Sequence, residues 1–230
     1  MSITDQNRPL RVFDKILKGG LGAGNLGIIM SRHGTGKTAI LTSIAIDHAM
    51  SGVNTLHACV GKSIDEVRAY DDEVLQAMIS AHGIKDQAQV MTNVERHKQI
   101  YTYGDGDMTV ERLRTTLVFL AEHAQFKPGL VELQAWPDFE KADEQVIKDL
   151  KALAVEFETE IWMSAHTHRN EDEGVSVPDY VKRFDSLISV MVALEPKSDE
   201  VFVRFLKTHD FTPPEVNLQF SPTKLLLRWR

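Results

Sequence analysis

Between residues 26 and 165 the chain alternates short apolar runs with longer stretches of helical period, and this alternation constrains the fold more than any other feature. LGIIM at 26–30 reads as a buried strand, and Thr38 to Met50 follows with Ile40, Leu41, Ile44 and Ala45 at helical spacing. TLHACV at 55–60 reads as a second strand. Ser63, with Glu66 three residues later, predicts a capping box that opens a helix running toward Gly83. AQVMTNV predicts a third strand. Val110, Leu113, Leu117, Leu120 and Ala124 mark another helix, and LVELQAW at 130–136 another strand. Val146, Ile147, Leu150, Leu153, Ala154 and Phe157 form an amphipathic helix before the strand IWMSA. Repeated strand-helix alternation builds βαβ units, so the expected class is α/β with a mostly parallel central sheet flanked by helices.

After residue 185 the pattern changes. SLISVMVAL and EVFVRFL flank a PKSD turn, which predicts an antiparallel hairpin, and VNLQF and KLLLR extend the sheet edge. Segments 95–107 and 168–179 are polar and glycine-bearing and read as loops.

Composition bounds the rest. A chain of 230 residues with 43% hydrophobic residues suits one sizeable core, and a single domain over 1–230 is expected. The net charge of -7 supplies no global attraction for a polyanion, so nucleic acid is not indicated as a partner, though a local basic face would not be excluded by it. Cys59 is the sole cysteine; it can form neither an intrachain disulfide nor a multi-cysteine zinc cluster, which fits a reducing compartment and makes the cytoplasm the expected location. The N-terminal residues carry no apolar run of signal-peptide type, and nothing later reaches the ~18 apolar residues of a membrane span. No membrane partner is expected.

SRHGTGKTAI, residues 31–40, lies between the first strand and the first long helix. The pattern GxxxxGK[ST] cradles phosphates because consecutive backbone N–H groups curl around them at a helix N-terminus, a lysine reaches the terminal phosphates, and a hydroxyl ligates magnesium. Ser31 stands where the first glycine is usual, and it is small enough for a tight turn out of a strand. Arg32, His33, Gly34, Thr35, Gly36, Lys37, Thr38 and Ala39 complete the loop. Gly34 and Gly36 free the backbone, Lys37 supplies the cation and Thr38 the hydroxyl. The expected ligands are therefore ATP or ADP with Mg2+, held by residues 31–39, with Thr38 on the metal.

FDKILKGGLGAGNLGIIMSRHGTGKTAI resembles the opening of RecA-like ATPases of the KaiC, RadA and DnaB-helicase group, in which a short helix and a GGL turn precede the phosphate-loop strand. KPGLVELQAWPDFE resembles that group's metal-orienting strand, IWMSAHTHR its next strand with a polar sensor at the end, and VFVRFLKTHD with LQFSPTKLLL its C-terminal hairpin and last strands. The resemblance implies a RecA-like P-loop fold with a C-terminal antiparallel extension and an ATPase that works as a homo-oligomer. It also exposes departures. The group's pattern of four apolar residues and an aspartate falls here on Leu130, Val131, Glu132, Leu133 and Gln134, so the metal-orienting carboxylate is missing from its place. Asp138 and Glu140 lie a few residues on and are candidates to reach back, Asp138 being taken as both metal ligand and catalytic acid. Glu132 is anomalous in a strand expected to be buried. The glutamate that the group places after its second strand is replaced by Gly61 and Lys62, and His166 stands where the DnaB-like members carry a sensor glutamine.

Other residues carry two readings each. His166 and His168 form an H-x-H pair with metal-compatible spacing, but a sensor role fits His166 equally. Lys207 and His209 fall where RecA-like oligomers send a basic residue into the neighbouring subunit's nucleotide, a place that is otherwise a solvated hairpin tip. Arg68 and Tyr70 fit a mixed-charge surface helix, Tyr101 and Tyr103 a stacking pair beside aspartates that disfavour a nucleic-acid groove, and Trp136 with Pro137 a packed strand end. The leading expectation is an ATP-binding RecA/KaiC-like protein with Lys37, His166, Asp138 and Lys207 as the candidate catalytic set, slow or degenerate hydrolysis, and a nucleotide-dependent regulatory or assembly role. An active oligomeric ATPase of recombinase or helicase type acting on DNA, and a small-molecule P-loop kinase, are the alternatives.

Overall fold

The computed structural model of the chain describes residues 10–167, 176–197, 200–221 and 226–229. Among these, one sheet of nine strands runs in the order β3-β2-β4-β5-β1-β6-β7-β8-β9. The strands are β1 (Leu26–Ser31), β2 (Thr55–Val60), β3 (Lys98–Tyr103), β4 (Leu130–Gln134), β5 (Glu160–His166), β6 (Val190–Lys197), β7 (Glu200–Thr208), β8 (Leu218–Ser221) and β9 (Leu226–Trp229). Six strands, from β3 through β6, pair parallel, and β7, β8 and β9 add antiparallel. This is the expected mostly parallel sheet with its C-terminal antiparallel extension.

The helices are α1 (Arg11–Ile16), α2 (Lys37–Met50), α3 (Ile64–Ala81), α4 (Gln87–His97), α5 (Val110–His123), α6 (Glu144–Glu156) and the short α7 (Asp179–Lys182). Alternation along β1 divides the core: Ile28 and Met30 pack with Leu113, Leu117, Ile147 and Leu150 of α5 and α6 on one face, whereas Ile29 packs with Phe13, Ile40 and Ile44 of α1 and α2 on the other. Ile46 and Met50 at the far end of α2 bury against Val74 and Met78 of α3 and Val90 and Val94 of α4. α2 is thus packed along its whole length, from the phosphate-loop end to its C-terminus. The capping box at Ser63 and Glu66 forms as expected.

One element departs from the sequence reading. AQVMTNV is helix, the body of α4, because Asp86 caps the Gln89 N–H and Val90 and Val94, four residues apart, fall on one buried face. The third strand lies in the segment read as a loop, at KQIYTY, where β-branched and aromatic residues pair parallel with β2 at the sheet edge. Among the described residues no helix is long and apolar enough to cross a membrane.

Candidate functional site

β1 ends at Ser31 beside His166 of β5, and the chain then turns into α2 through Gly34 (φ 73) and Gly36 (φ 101), both left-handed. Gly36 is the N-cap of a 14-residue helix, so the loop wraps around the end at which orphan backbone N–H groups and the positive pole of the helix dipole face outward. Arg32, His33 and Gly34 are exposed, Thr35 and Ala39 buried, and Thr38 half-buried.

Lys37 points back into this loop. Its Nζ donates to the Ser31 carbonyl at 2.8 Å and the Arg32 carbonyl at 3.0 Å, lies 3.3 Å from Ser31 Oγ, and lies 3.3 Å from His166 Nδ1. Burial lowers the lysine to about 8. The His166 imidazole is held below its ordinary range by burial, then by the charges of Lys37 and His33, so near neutrality its Nδ1 is an acceptor for the lysine. The His33 ring stacks on that of His166 with centroids 4.5 Å apart, and the Tyr180 hydroxyl donates to the His166 carbonyl. A cavity of about 470 Å³ opens from these rings, lined also by Asp138, Glu140 and Thr167. It lies beyond the C-terminal ends of β4 and β5, next to the loop that follows β1, where open α/β sheets place their ligands.

The acids are arranged differently from the sequence pattern. Asp138 lines the cavity, but its Oδ2 takes a 2.8 Å bond from Lys141 and its Oδ1 accepts the Glu140 N–H. The Lys141 bond holds its carboxyl below the usual range. Gln134, at the end of β4, turns inward. Its Nε2 donates to Glu132 Oε1 at 2.5 Å and to Thr42 Oγ1 at 3.1 Å, and Thr42 in turn donates to Glu132 Oε1 at 3.1 Å. Gly61, where a catalytic glutamate was looked for, has φ 73 and lies under Asp105, whose Oδ1 would be 2.5 Å from a Cβ at that position.

Lys207 donates to the Asp185 carbonyl and pairs with its carboxylate at 3.1 Å within the same chain, while His209 Nε2 lies 3.0 Å from the Gly20 carbonyl. His168 lies outside the described residues. Arg68 is exposed on α3, and Tyr70 packs against the core. Tyr101 is exposed on the edge strand, with Tyr103 5.3 Å away and hydrogen-bonded to Thr116. Trp136 packs on the α5 and α6 core.

Behind Gln134 lies a group of polar residues that the motif reading did not find. Glu132 is completely buried, and His57 Nδ1 on the neighbouring β2 lies 3.6 Å from its Oε2 and 3.2 Å from Asp71 of α3. Lys98, the first residue of β3, forms an ion pair with Asp71. Burial pushes the Glu132 carboxyl up, with the His57 charge pulling against it. Burial likewise opposes a charged His57, but the Glu132 carboxylate and the Asp71 hydrogen bond outweigh it and raise His57 to about 9. The available sequence signal was a single polar residue at a buried position in each of TLHACV and LVELQ.

A strand, a glycine loop with an inward lysine, a helix capped by that loop, and a parallel sheet continued by antiparallel strands together define the RecA-like P-loop class of fold. No family model and no curated protein sequence matches this chain. Among solved structures, the ATPase domain of a DnaB-like helicase superposes with a TM-score of 0.70 over 97% of this chain and 90% of that one, at 14% identity. That likeness is one of fold and extends over nearly the whole chain.

Proposed function

We propose that this chain binds ATP or ADP through residues 31–39 and turns the nucleotide over slowly. The observation that carries the reading is Lys37, whose ammonium is already inside the loop on the carbonyls of Ser31 and Arg32. A phosphate would replace those weak neutral acceptors with charged oxygens, and the N–H groups released by the left-handed Gly34 and Gly36 would meet the same oxygens. The residues therefore suit a phosphate chain. His33 and His166 border the cavity into which its outer end would extend.

Thr38 and Asp138 are the residues that would hold Mg2+, which when bound neutralises charge on the phosphate oxygens. The fit is incomplete, because Asp138 is engaged by Lys141 and the side chain at the end of β4 is an amide turned toward Thr42 rather than outward. With Gly61 following β2, no carboxylate from that strand end orients an attacking water, and general-base catalysis is worth about 100- to 10,000-fold. His166 would contact the outer phosphate, and its release of Lys37 would report occupancy. Calorimetric titration with ATP and ADP tests the reading. Binding should saturate at micromolar concentrations and vanish in Lys37→Ala, with phosphate release near background; brisk turnover abolished by Gln134→Ala would overturn the slow-hydrolysis part.

The resemblance to an ATPase domain favours one further reading, an active homo-oligomeric ATPase using Lys207 across a subunit boundary. Sedimentation with and without nucleotide separates the two, since a monomer at high concentration is incompatible with catalysis in trans.

A further inference from the structure

Four ionisable side chains from four elements meet in the interior beside α2: Glu132 from β4, His57 from β2, Asp71 from α3 and Lys98 from β3. Taking charges out of water costs several kcal/mol per ion, and well-packed apolar residues often stabilise a core as well as a buried ion pair does. Such a group is therefore poorly explained by stability alone. What it does provide is direction, because each member can satisfy its partners in few orientations.

The direction leads to Thr42. Its hydroxyl accepts from Gln134 and donates to Glu132, so both of its roles are fixed by β4. Thr42 lies one helical turn beyond Thr38 on α2. The Glu132 oxygen that receives both donors is Oε1, while Oε2 faces His57; Oε2, with His57 Nε2 and Asp71 Oδ1, has no hydrogen-bond partner of its own. The carboxylate is thus oriented by Thr42 and Gln134 on one side and by the charges of His57, Lys98 and Asp71 on the other.

We propose that Glu132 is a positioning residue of the phosphate loop: through Thr42 and Gln134 it fixes the first turns of α2, doing from inside β4 what the residue at the strand end does not do at the metal. This rests on residues 31–39 being a nucleotide site, but the mechanical half of it does not. Glu132 sets where Lys37 and Thr38 stand, and Gln134 is a strut between strand and helix rather than a damaged metal ligand. A substitution that frees Thr42 should loosen the loop while leaving the α5 and α6 face of the sheet as it is.

The test is backbone amide exchange on the full chain together with ADP binding, in wild type, Glu132→Gln, Thr42→Val, Thr42→Ser and the Glu132→Gln/Thr42→Val double variant. Exchange at residues 38–42 should quicken about 5- to 10-fold in Glu132→Gln and in Thr42→Val, with α5 and α6 unchanged and Thr42→Ser close to wild type. The dissociation constant for ADP should rise by a similar factor. The double variant should be no worse than the more affected single one, because both act through one contact. Additive effects, uniform loosening of all helices, or unchanged exchange in α2 would overturn the proposal. If Glu132→Gln does not fold, Thr42→Val and Gln134→Leu decide it by the same exchange pattern. If wild type binds no ADP, the nucleotide reading fails, and the exchange data still decide whether Glu132 positions α2.

Discussion

The Gln134 amide donates to Glu132, two residues back on the same strand, at 2.5 Å, and so faces the interior rather than the phosphate loop. Restoring an acid at the strand end therefore should not restore a metal site. Gln134→Asp replaces a donor with a second carboxylate against a buried one, which removes a charged hydrogen bond and adds repulsion. The expected cost is about 3 kcal/mol at neutral pH, shrinking as acid protonates one of the pair. Denaturant melts at pH 7 and pH 5 measure it. Phosphate release should stay near background; a variant that is as stable as wild type and hydrolyses ATP would show that the side chain can turn outward.

Nucleotide affinity should depend on the proton of Lys37. Burial lowers this lysine to about 8, so the free protein loses its ammonium just above that pH, whereas a bound phosphate would hold the proton. Binding at higher pH then requires proton uptake, and the dissociation constant for ADP should rise about 10-fold between pH 7 and pH 9. Titrations in buffers of different ionisation enthalpy would reveal the uptake directly. A flat profile would show that the lysine is not in contact with the phosphate.

Local pattern was sufficient for what depends on neighbours in sequence: the run LGIIM, the glycine spacing before Lys37, the Ser63 and Glu66 cap, and the change of period after residue 185. It failed at AQVMTNV, where Val90 and Val94 also satisfy a short strand until the caps and the partners of their buried face are known. The sequence showed that Glu132 was out of place but not what answered it. Its partners come from α2, β2, α3 and β3, and only the parallel pairing of β2 with β4 sets His57 opposite Glu132. Asp138 illustrates the converse. Its spacing suited a metal ligand, but Lys141, three residues on, occupies the carboxylate, and spacing alone does not choose between a nearby lysine and a metal.

His57 gives a second pH signature, opposite in sign to that of Lys37. Its folded value of about 9 lies above its ordinary 6.5, so its contribution to stability is complete below about 6.5 and is lost as pH rises through 9. Lys37, lowered to about 8, relieves a burial penalty as pH climbs from 8 toward 10.5, and melts alone therefore mix the two. The imidazole resonance reads His57 by itself. The groups that face it are Glu132, Asp71 and Lys98, so Glu132→Gln should bring its midpoint down toward the ordinary value. A midpoint near 6.5 in the wild type would show that the interior group does not hold the proton on the ring.

The two glycines of the loop should respond unequally to alanine. Both are left-handed, but a Cβ at Gly34 would meet nothing within 4 Å, whereas a Cβ at Gly36 would stand 2.3 Å from the Phe220 ring of β8. Gly34→Ala should cost about 1 kcal/mol, the backbone penalty alone. Gly36→Ala adds a collision with a buried aromatic and should cost about 3 kcal/mol, a fall in Tm of roughly 10 °C. Phe220 is 1% exposed and packs between sheet and loop, so it cannot swing into solvent. Combining Gly36→Ala with Phe220→Leu should recover part of the loss, although Phe220→Leu alone destabilises. Thermal melts of the four variants test this coupling, and a Gly36→Ala variant no less stable than Gly34→Ala would mean that Phe220 does not support the loop.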